Sequence, residues 1–185
     1  MTLFIIIWAT WLIAEVALNR LLKSKEKGEK NYDNGSTALI WRVIGIANIL
    51  AIASAYFIKF PISNHIIVPY IGLLMLVLGM LGRVIAIRML GNLFTVNVNI
   101  SANHRIVKSG IYKYIRHPAY LGTIISFIGF GFSLNNWISL FVVSIAIPTV
   151  MIYRINIEEQ ALHEKFGNEY IAYKKSTYRL IPFIY

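Results

Sequence analysis

The segment Arg116-His117-Pro118-Ala119-Tyr120-Leu121-Gly122 brings a guanidinium, an imidazole and a phenol to one point of a chain that is 57% hydrophobic overall. Proline costs little at the first position of a helix, where its missing N–H has no partner to lose. Pro118 therefore marks a helix start, with Arg116 and His117 at its mouth. Helix N-termini favour anionic groups. Two readings of the segment stand side by side: a ligand site, or an interfacial anchor in which Arg snorkels and His and Tyr sit at headgroup depth. A second group is Arg154, Glu158 and Glu159. Residues 154 and 158 are four apart and share a helix face. Alone they form a surface ion pair worth little. A third is Leu90-Gly91-Asn92-Leu93-Phe94, followed by His104 to Tyr112, in which Gly91 and Gly110 suit turns or close backbone approach.

The elements that must position these groups are apolar. Stretches run over Thr2–Leu22, about Thr37–Phe60, Ile66 to about Leu90, Ala119–Leu134 and Trp137 to about Ile155. A span needs about 20 residues at about 1.5 Å each. The first three stretches reach it readily. The fourth is short, and only Asn135 and Asn136 separate it from the fifth, so the last two form a tight helical hairpin. A chain of 185 residues is too small to hide this much apolar surface in a soluble core. The fold class is therefore all-α, a polytopic membrane protein with about five transmembrane helices, organised as a single domain over 1–185 with two N-terminal helices in 1–60.

The net charge of +10 would suggest nucleic acid in a soluble protein. Here the basic residues lie between apolar runs, and no soluble module carries them. The positive-inside effect and anionic headgroups account for them, and nucleic acid is not expected as a partner. Arg20, Lys23, Lys25, Lys27 and Lys30 follow the first apolar run, the reverse of a signal peptide, so that run reads as a retained helix. Placing every basic loop on the cytoplasmic side puts the N-terminus outside and the C-terminus inside. The complete absence of cysteine excludes disulfides and cysteine-based metal or nucleophile sites.

The hairpin makes the second group more than a surface pair. A two-residue turn brings the end of the fifth helix beside the start of the fourth, so Arg154, Glu158 and Glu159 meet Arg116 and His117 at one depth. Converging charge at a membrane edge is a functional-site hypothesis by default. Glu158, Glu159, Leu162, Phe166, Tyr170 and Tyr173 recur at helical spacing, so the fifth helix continues out of the membrane and turns at Gly167. Gly72, Gly79 and Gly82 suit close packing of the third helix. Arg83 and Arg88 read as snorkelling residues. Glu15 either pairs with a basic residue or faces a cavity.

In order, the motifs are Gly91 with Phe94, Ile106 to Tyr112, Arg116 to Gly122, Glu158 to Leu162, Phe166 to Tyr173, and Pro182. This set resembles the isoprenylcysteine carboxyl methyltransferases and their prokaryotic relatives over roughly Leu90 to Pro182. The resemblance implies that residues 61–185 form a catalytic core at the cytoplasmic face, with S-adenosylmethionine as cofactor and no metal. It implies a cofactor pocket lined by Val107, Gly110, Tyr112, His117, Pro118, Tyr120 and Glu159. Arg116, Arg154 and Glu158 would lie nearest the methyl acceptor, a lipophilic or prenylated acid reaching the site sideways between helices. A carboxylate acceptor is ionised at neutral pH and needs a cationic partner rather than a base. An amine or hydroxyl acceptor, as on a phospholipid, would need a base such as His117 or Glu158. A sterol-reductase-like, nicotinamide-dependent enzyme shares the Arg-His-Pro-x-Tyr segment and an ending like Tyr178 to Pro182. A non-enzymatic adaptor or transporter leaves both polar groups unexplained.

Overall fold

The computed structural model of the protein describes residues 2–21, 32–33, 35–94 and 105–182. Lys23, Lys25, Lys27 and Lys30, residues 95–104 between α3 and α4 (His104 among them), and the last three residues lie outside the described residues.

The described residues are helical: α1 (Thr2–Leu21), α2 (Ser36–Phe57), α3 (Ile67–Leu90), α4 (Pro118–Ser133), α5 (Trp137–Phe166) and α6 (Asn168–Ser176). Short 3-10 turns cover Gly91–Leu93 and Gly110–Lys113. Helices α1, α2, α3 and α5 are long and apolar enough to cross a membrane, and α4 is a shorter apolar helix. The five expected crossings thus resolve into four full-length helices and one of 16 residues, or about 24 Å at the usual rise.

The shortness of α4 is made good by its neighbours. The turn between α2 and α3 comes in to meet the turn between α4 and α5. The Trp137 N–H donates to Phe60 O at 3.0 Å, and Asn136 Nδ2 donates to Ile58 O at 2.7 Å. Asn135 Nδ2 donates to Ser63 O at 2.8 Å. Asn135 adopts φ 49°, a left-handed conformation that asparagine tolerates better than most side chains. Asn136 caps α5, its Oδ1 accepting from the N–H of Ile138 at 2.9 Å and of Ser139 at 3.1 Å. The pair of asparagines therefore makes the turn and also pins it to the far end of the bundle.

Helices α3 and α4 pack backbone to backbone. A Cβ at Gly79 would fall 2.5 Å from Ser126 N, and one at Gly122 would fall 2.7 Å from Arg83 N. Gly72 and Gly129 make the same approach one step further along. Small residues allow such contact where lipid removes the hydrophobic drive for helices to associate. Gly82 differs from the expectation, since a Cβ there meets nothing within 4 Å. Helix α2 packs on α5, where the Ser139 hydroxyl donates to Ala51 O at 2.6 Å. Helix α1 is clipped to α4 by Trp8 Nε1, which donates to Ser133 Oγ at 2.9 Å, and by Trp11 against Phe127 and Phe130.

The apolar run of α5 ends near Ile155, but the helix continues to Phe166 and turns at Gly167, φ 50°. Helix α6 folds back from that turn. The following segment pairs with the stretch before α4: the Tyr178 N–H donates to Tyr114 O at 2.8 Å, and the Arg116 N–H donates to Tyr178 O at 2.9 Å. The tail is thereby laid against the mouth of α4.

Candidate active site

Glu159 is the hub of the first cluster. Arg116 Nε donates to its Oε1 at 3.0 Å, and His117 Nε2 lies 3.3 Å from the same oxygen. On the other oxygen, Arg179 Nη2 lies at 3.1 Å and Lys174 Nζ at 3.5 Å. His117 Nδ1 lies 3.9 Å from Glu158 Oε2, so the imidazole sits between two carboxylates. His117 and Glu159 are buried. Four elements contribute: the mouth of α4, the extension of α5, the end of α6 and the tail. Two guanidinium groups, an ammonium and an imidazole surround one carboxylate, leaving basic groups in surplus beside the N-terminus of α4, itself a favourable place for an anion.

Arg116 belongs to this cluster and also holds it together. Its Nη1 donates to Lys174 O at 3.1 Å and to Thr177 Oγ1 at 3.2 Å, and it bonds Thr177 O as well. The side chain expected beside the acceptor therefore faces Glu159 and the tail. Tyr112 is buried and held at both ends. Its hydroxyl donates to Ala86 O at 3.2 Å, and its carbonyl accepts from Tyr173 Oη at 2.7 Å. Burial, with a contribution from Glu158, pushes the Tyr112 phenol up, so it stays protonated as a donor. Burial likewise pushes Tyr170 up, with Glu159 adding to the effect. Val107 packs with Tyr112, Ala119 and Ala86. Gly110 adopts φ 58°, a left-handed conformation that favours glycine, beside the flexible end of the Met89 side chain. These residues pack against the end of α3 and the start of α4. Pro118 takes the first position of α4.

The second cluster lies deeper and centres on Arg154, which is only 1% exposed. Its Nη1 donates to Asp33 Oδ1 and Ser36 Oγ at the start of α2. Burial raises the Asp33 carboxyl, but hydrogen bonds from Arg154 and Thr37 overcome this and hold it below the usual aspartate range. The Tyr120 ring lies 5.8 Å from that of His117 and lines the same cleft as Arg154, so it stands between the two clusters. The residues predicted as one site thus occupy two adjoining ones: Arg116, His117 and Glu159 in the first, Arg154 in the second, with Tyr120 and Glu158 between.

From the second cluster a cleft of about 640 Å³, its open mouth included, runs between α1 and α2. Leu12 of α1, Ile40, Trp41 and Ile44 of α2, Phe127 and Met151 give it apolar walls, and Arg154, Tyr120, Thr123 and Arg83 stand at its polar end. Arg83 does not snorkel. It turns inward, where Nη1 donates to Thr123 Oγ1 at 2.5 Å and to Ala119 O at 3.3 Å, and Nε lies 3.3 Å from Glu15 Oε1. Glu15 thereby fulfils both expectations for it, an ion pair and a place on a cavity wall.

Reading the sequence alone missed Asp33, Ser36, Lys174 and Arg179. The run Asp33 to Ser36 before an apolar stretch is a legible helix start, but its reach to Arg154, 121 residues away, is not.

The profile of the isoprenylcysteine carboxyl methyltransferase (ICMT) family matches residues 71–164, half of the chain. The chain belongs to this family. Protein-S-isoprenylcysteine O-methyltransferase A of Arabidopsis thaliana is 30% identical over 154 residues, covering 80% of the chain and 78% of the relative. Protein-S-isoprenylcysteine O-methyltransferase of Saccharomyces cerevisiae is 37% identical over 116 residues, 62% of the chain and 48% of the relative. A solved structure of the eukaryotic intramembrane Ras methyltransferase ICMT superposes with a TM-score of 0.66 at 29% identity, covering 78% of the chain and 52% of that protein. The chain spans about half the length of that eukaryotic protein. The family's matched region holds α4, Arg154, Glu158 and Glu159, whereas Asp33 and Glu15 lie before it.

Proposed function

We propose that the chain is an S-adenosylmethionine-dependent O-methyltransferase of the membrane, which esterifies the carboxylate of an isoprenylcysteine or a similar lipophilic acid. Membership of the family makes it a membrane methyltransferase. The observation that carries the finer reading is the junction of an apolar cleft, ending on Arg154 and Tyr120, with a separate, positively charged cluster around Glu159.

The residues present suit the cofactor. The surplus of positive charge around Glu159 and the start of α4 matches an amino-acid carboxylate, and Glu158 offers a counter-charge for a cationic centre. Val107, Gly110 and Tyr112 back this pocket, with His117, Pro118, Tyr120 and Glu159 along its side. S-adenosylmethionine supplies a methyl group already activated for displacement. The protein's task is then to hold an acceptor close and in line, which is worth several kcal/mol of barrier. Arg154 orients the acceptor carboxylate through its N–H groups, Tyr120 fixes the geometry between the two clusters, and the walls between α1 and α2 take the lipid tail from the bilayer. Arg116 acts on the cofactor side, through Glu159 and the tail. In this reading this end of the bundle faces the cytoplasm with the N-terminus opposite, which the basic loops of the sequence support.

Calorimetry on the purified protein tests the reading, with S-adenosylmethionine, S-adenosylhomocysteine and reduced nicotinamide dinucleotide phosphate. Saturable binding of the two adenosyl compounds alone is expected, followed by methyl transfer to a farnesylcysteine analogue. Binding of the nicotinamide alone would overturn it in favour of a reductase. Transfer only to an amine or hydroxyl lipid would move the acceptor class and give His117 the work of a base.

A further inference from the structure

The use of Arg154 on the acceptor raises the question of what keeps a buried guanidinium in place. A charge at this depth is costly unless it is paired and hydrogen-bonded. Its carboxylate partner comes from outside the family's matched region. Asp33 lies just ahead of α2, and its two oxygens divide their work. Oδ1 accepts from Arg154 Nη1, from the Thr37 hydroxyl at 2.7 Å and from Ser36 Oγ at 3.2 Å. Oδ2 accepts from the Thr37 N–H at 3.4 Å. Ser36 bonds Arg154 in its turn. The carboxylate is thus oriented by the first turn of α2 before it meets the arginine. Thr37 and Arg154 both lie on the cleft wall, so the pair stands at the end of the apolar passage.

Resting on the proposed use of Arg154, we propose that Asp33 is a positioning residue for methyl transfer: it holds the Arg154 guanidinium on the cleft wall at the angle from which a second carboxylate, that of the acceptor, is bound. A guanidinium presents several N–H groups in a fixed fork. Fixing one of them against Asp33 and Ser36 sets the direction of the others. Asp33 acts through Arg154 and touches neither substrate. It also makes the start of α2, and hence one wall of the lipid passage, part of the catalytic geometry.

Asparagine matches aspartate in size and keeps one oxygen acceptor for Ser36 and Thr37, so Asp33→Asn removes the charge with little change of shape. The test measures steady-state kinetics on a farnesylcysteine analogue in lipid nanodiscs, with S-adenosylmethionine affinity and melting temperature measured on the same samples. Expected is a fall in kcat of about ten- to a hundredfold, the scale of a small misplacement of a reacting group, with cofactor affinity unchanged and a melting temperature that is lowered, since buried Arg154 loses its charge partner, but stays above the assay temperature. An unchanged kcat would overturn the proposal, as would a loss matched by an equal loss of cofactor binding. Should Asp33→Asn fail to fold, Asp33→Glu and Asp33→Gln, equal in length and different in charge, replace it. Higher kcat in Glu supports the positioning role, and equal kcat overturns it. Failure of the wild type to transfer methyl at all would count against the underlying reading of Arg154 instead.

Discussion

The two polar clusters at this end of the bundle are built on opposite principles. Around Glu159, Arg116, Arg179, Lys174 and His117 crowd one carboxylate. Around Arg154, one carboxylate, Asp33, meets one guanidinium, with hydroxyls filling in. The first is rich in cations and lies where α5 has left its apolar run, so water and an anionic ligand can share in neutralising it. The second is balanced, as a buried site must be, because an uncompensated charge there carries its full desolvation cost. A charged cofactor suits the first. In the proposed function a lipid-borne carboxylate would reach the second through apolar walls and accept hydrogen bonds from an Arg154 that Asp33 already orients.

If this division of labour holds, mutations should separate the two clusters by what they impair. The largest effect is expected from Arg154→Ala. Methyl transfer should fall about a hundred- to a thousandfold, the scale of losing one oriented charge-stabilising group, while cofactor affinity measured by calorimetry changes little. Parallel losses in both would merge the clusters into one site. Next, Glu159→Gln and His117→Ala should each weaken S-adenosylmethionine binding about ten- to a hundredfold, the range of a hydrogen bond to a charged group. The protein should still insert and extract normally, and full affinity in both variants would remove the cofactor from this cluster.

Arg179→Ala should have a smaller effect, about tenfold or less on the same affinity, because Arg116 and Lys174 still face Glu159. A single-turnover rate at saturating cofactor that matches the wild type would confirm that the loss is one of binding. The smallest expected effect is on acid stability. The folded carboxyl of Asp33 titrates below its ordinary value, about 3.9 for a free aspartate. The stability it contributes is therefore fully present above that value and is lost as pH falls through the depressed folded one. Melting curves from pH 6 down to pH 3 should show wild type losing more than Asp33→Asn. Identical slopes would mean that the Asp33–Arg154 pair contributes nothing to holding α2 on α5.

Much of the first cluster was legible because its members announce themselves locally. Pro118 marks a helix start, and the spacing from Glu158 to Tyr173 continues a helix beyond the membrane. The two asparagines demand a tight hairpin, which brings Glu159 to His117. Arg179 escaped this logic, since it arrives through backbone pairing of the tail with residues 114–117. Among the three glycines of α3, spacing alone did not separate Gly72 and Gly79, which touch α4, from Gly82, which does not. Arg83 departs from the snorkelling expectation for a related reason. Near a helix end, sequence favours snorkelling, and only the proximity of Thr123 and Glu15 turned the side chain inward.

By itself the sequence determined the all-helical membrane fold, the hairpin and the ordered motifs of the family, because apolar run length, proline and asparagine chemistry, and local spacing act within a few turns of chain. Only the tertiary structure decided that Arg116 and Arg154 serve different clusters, that Asp33 partners Arg154, and that α1 and α2 frame an apolar cleft. Those facts depend on which helix faces which across the bundle. That choice follows from the fit of surfaces far apart in sequence, such as the glycine contact of α3 with α4 and the serine contact of α2 with α5.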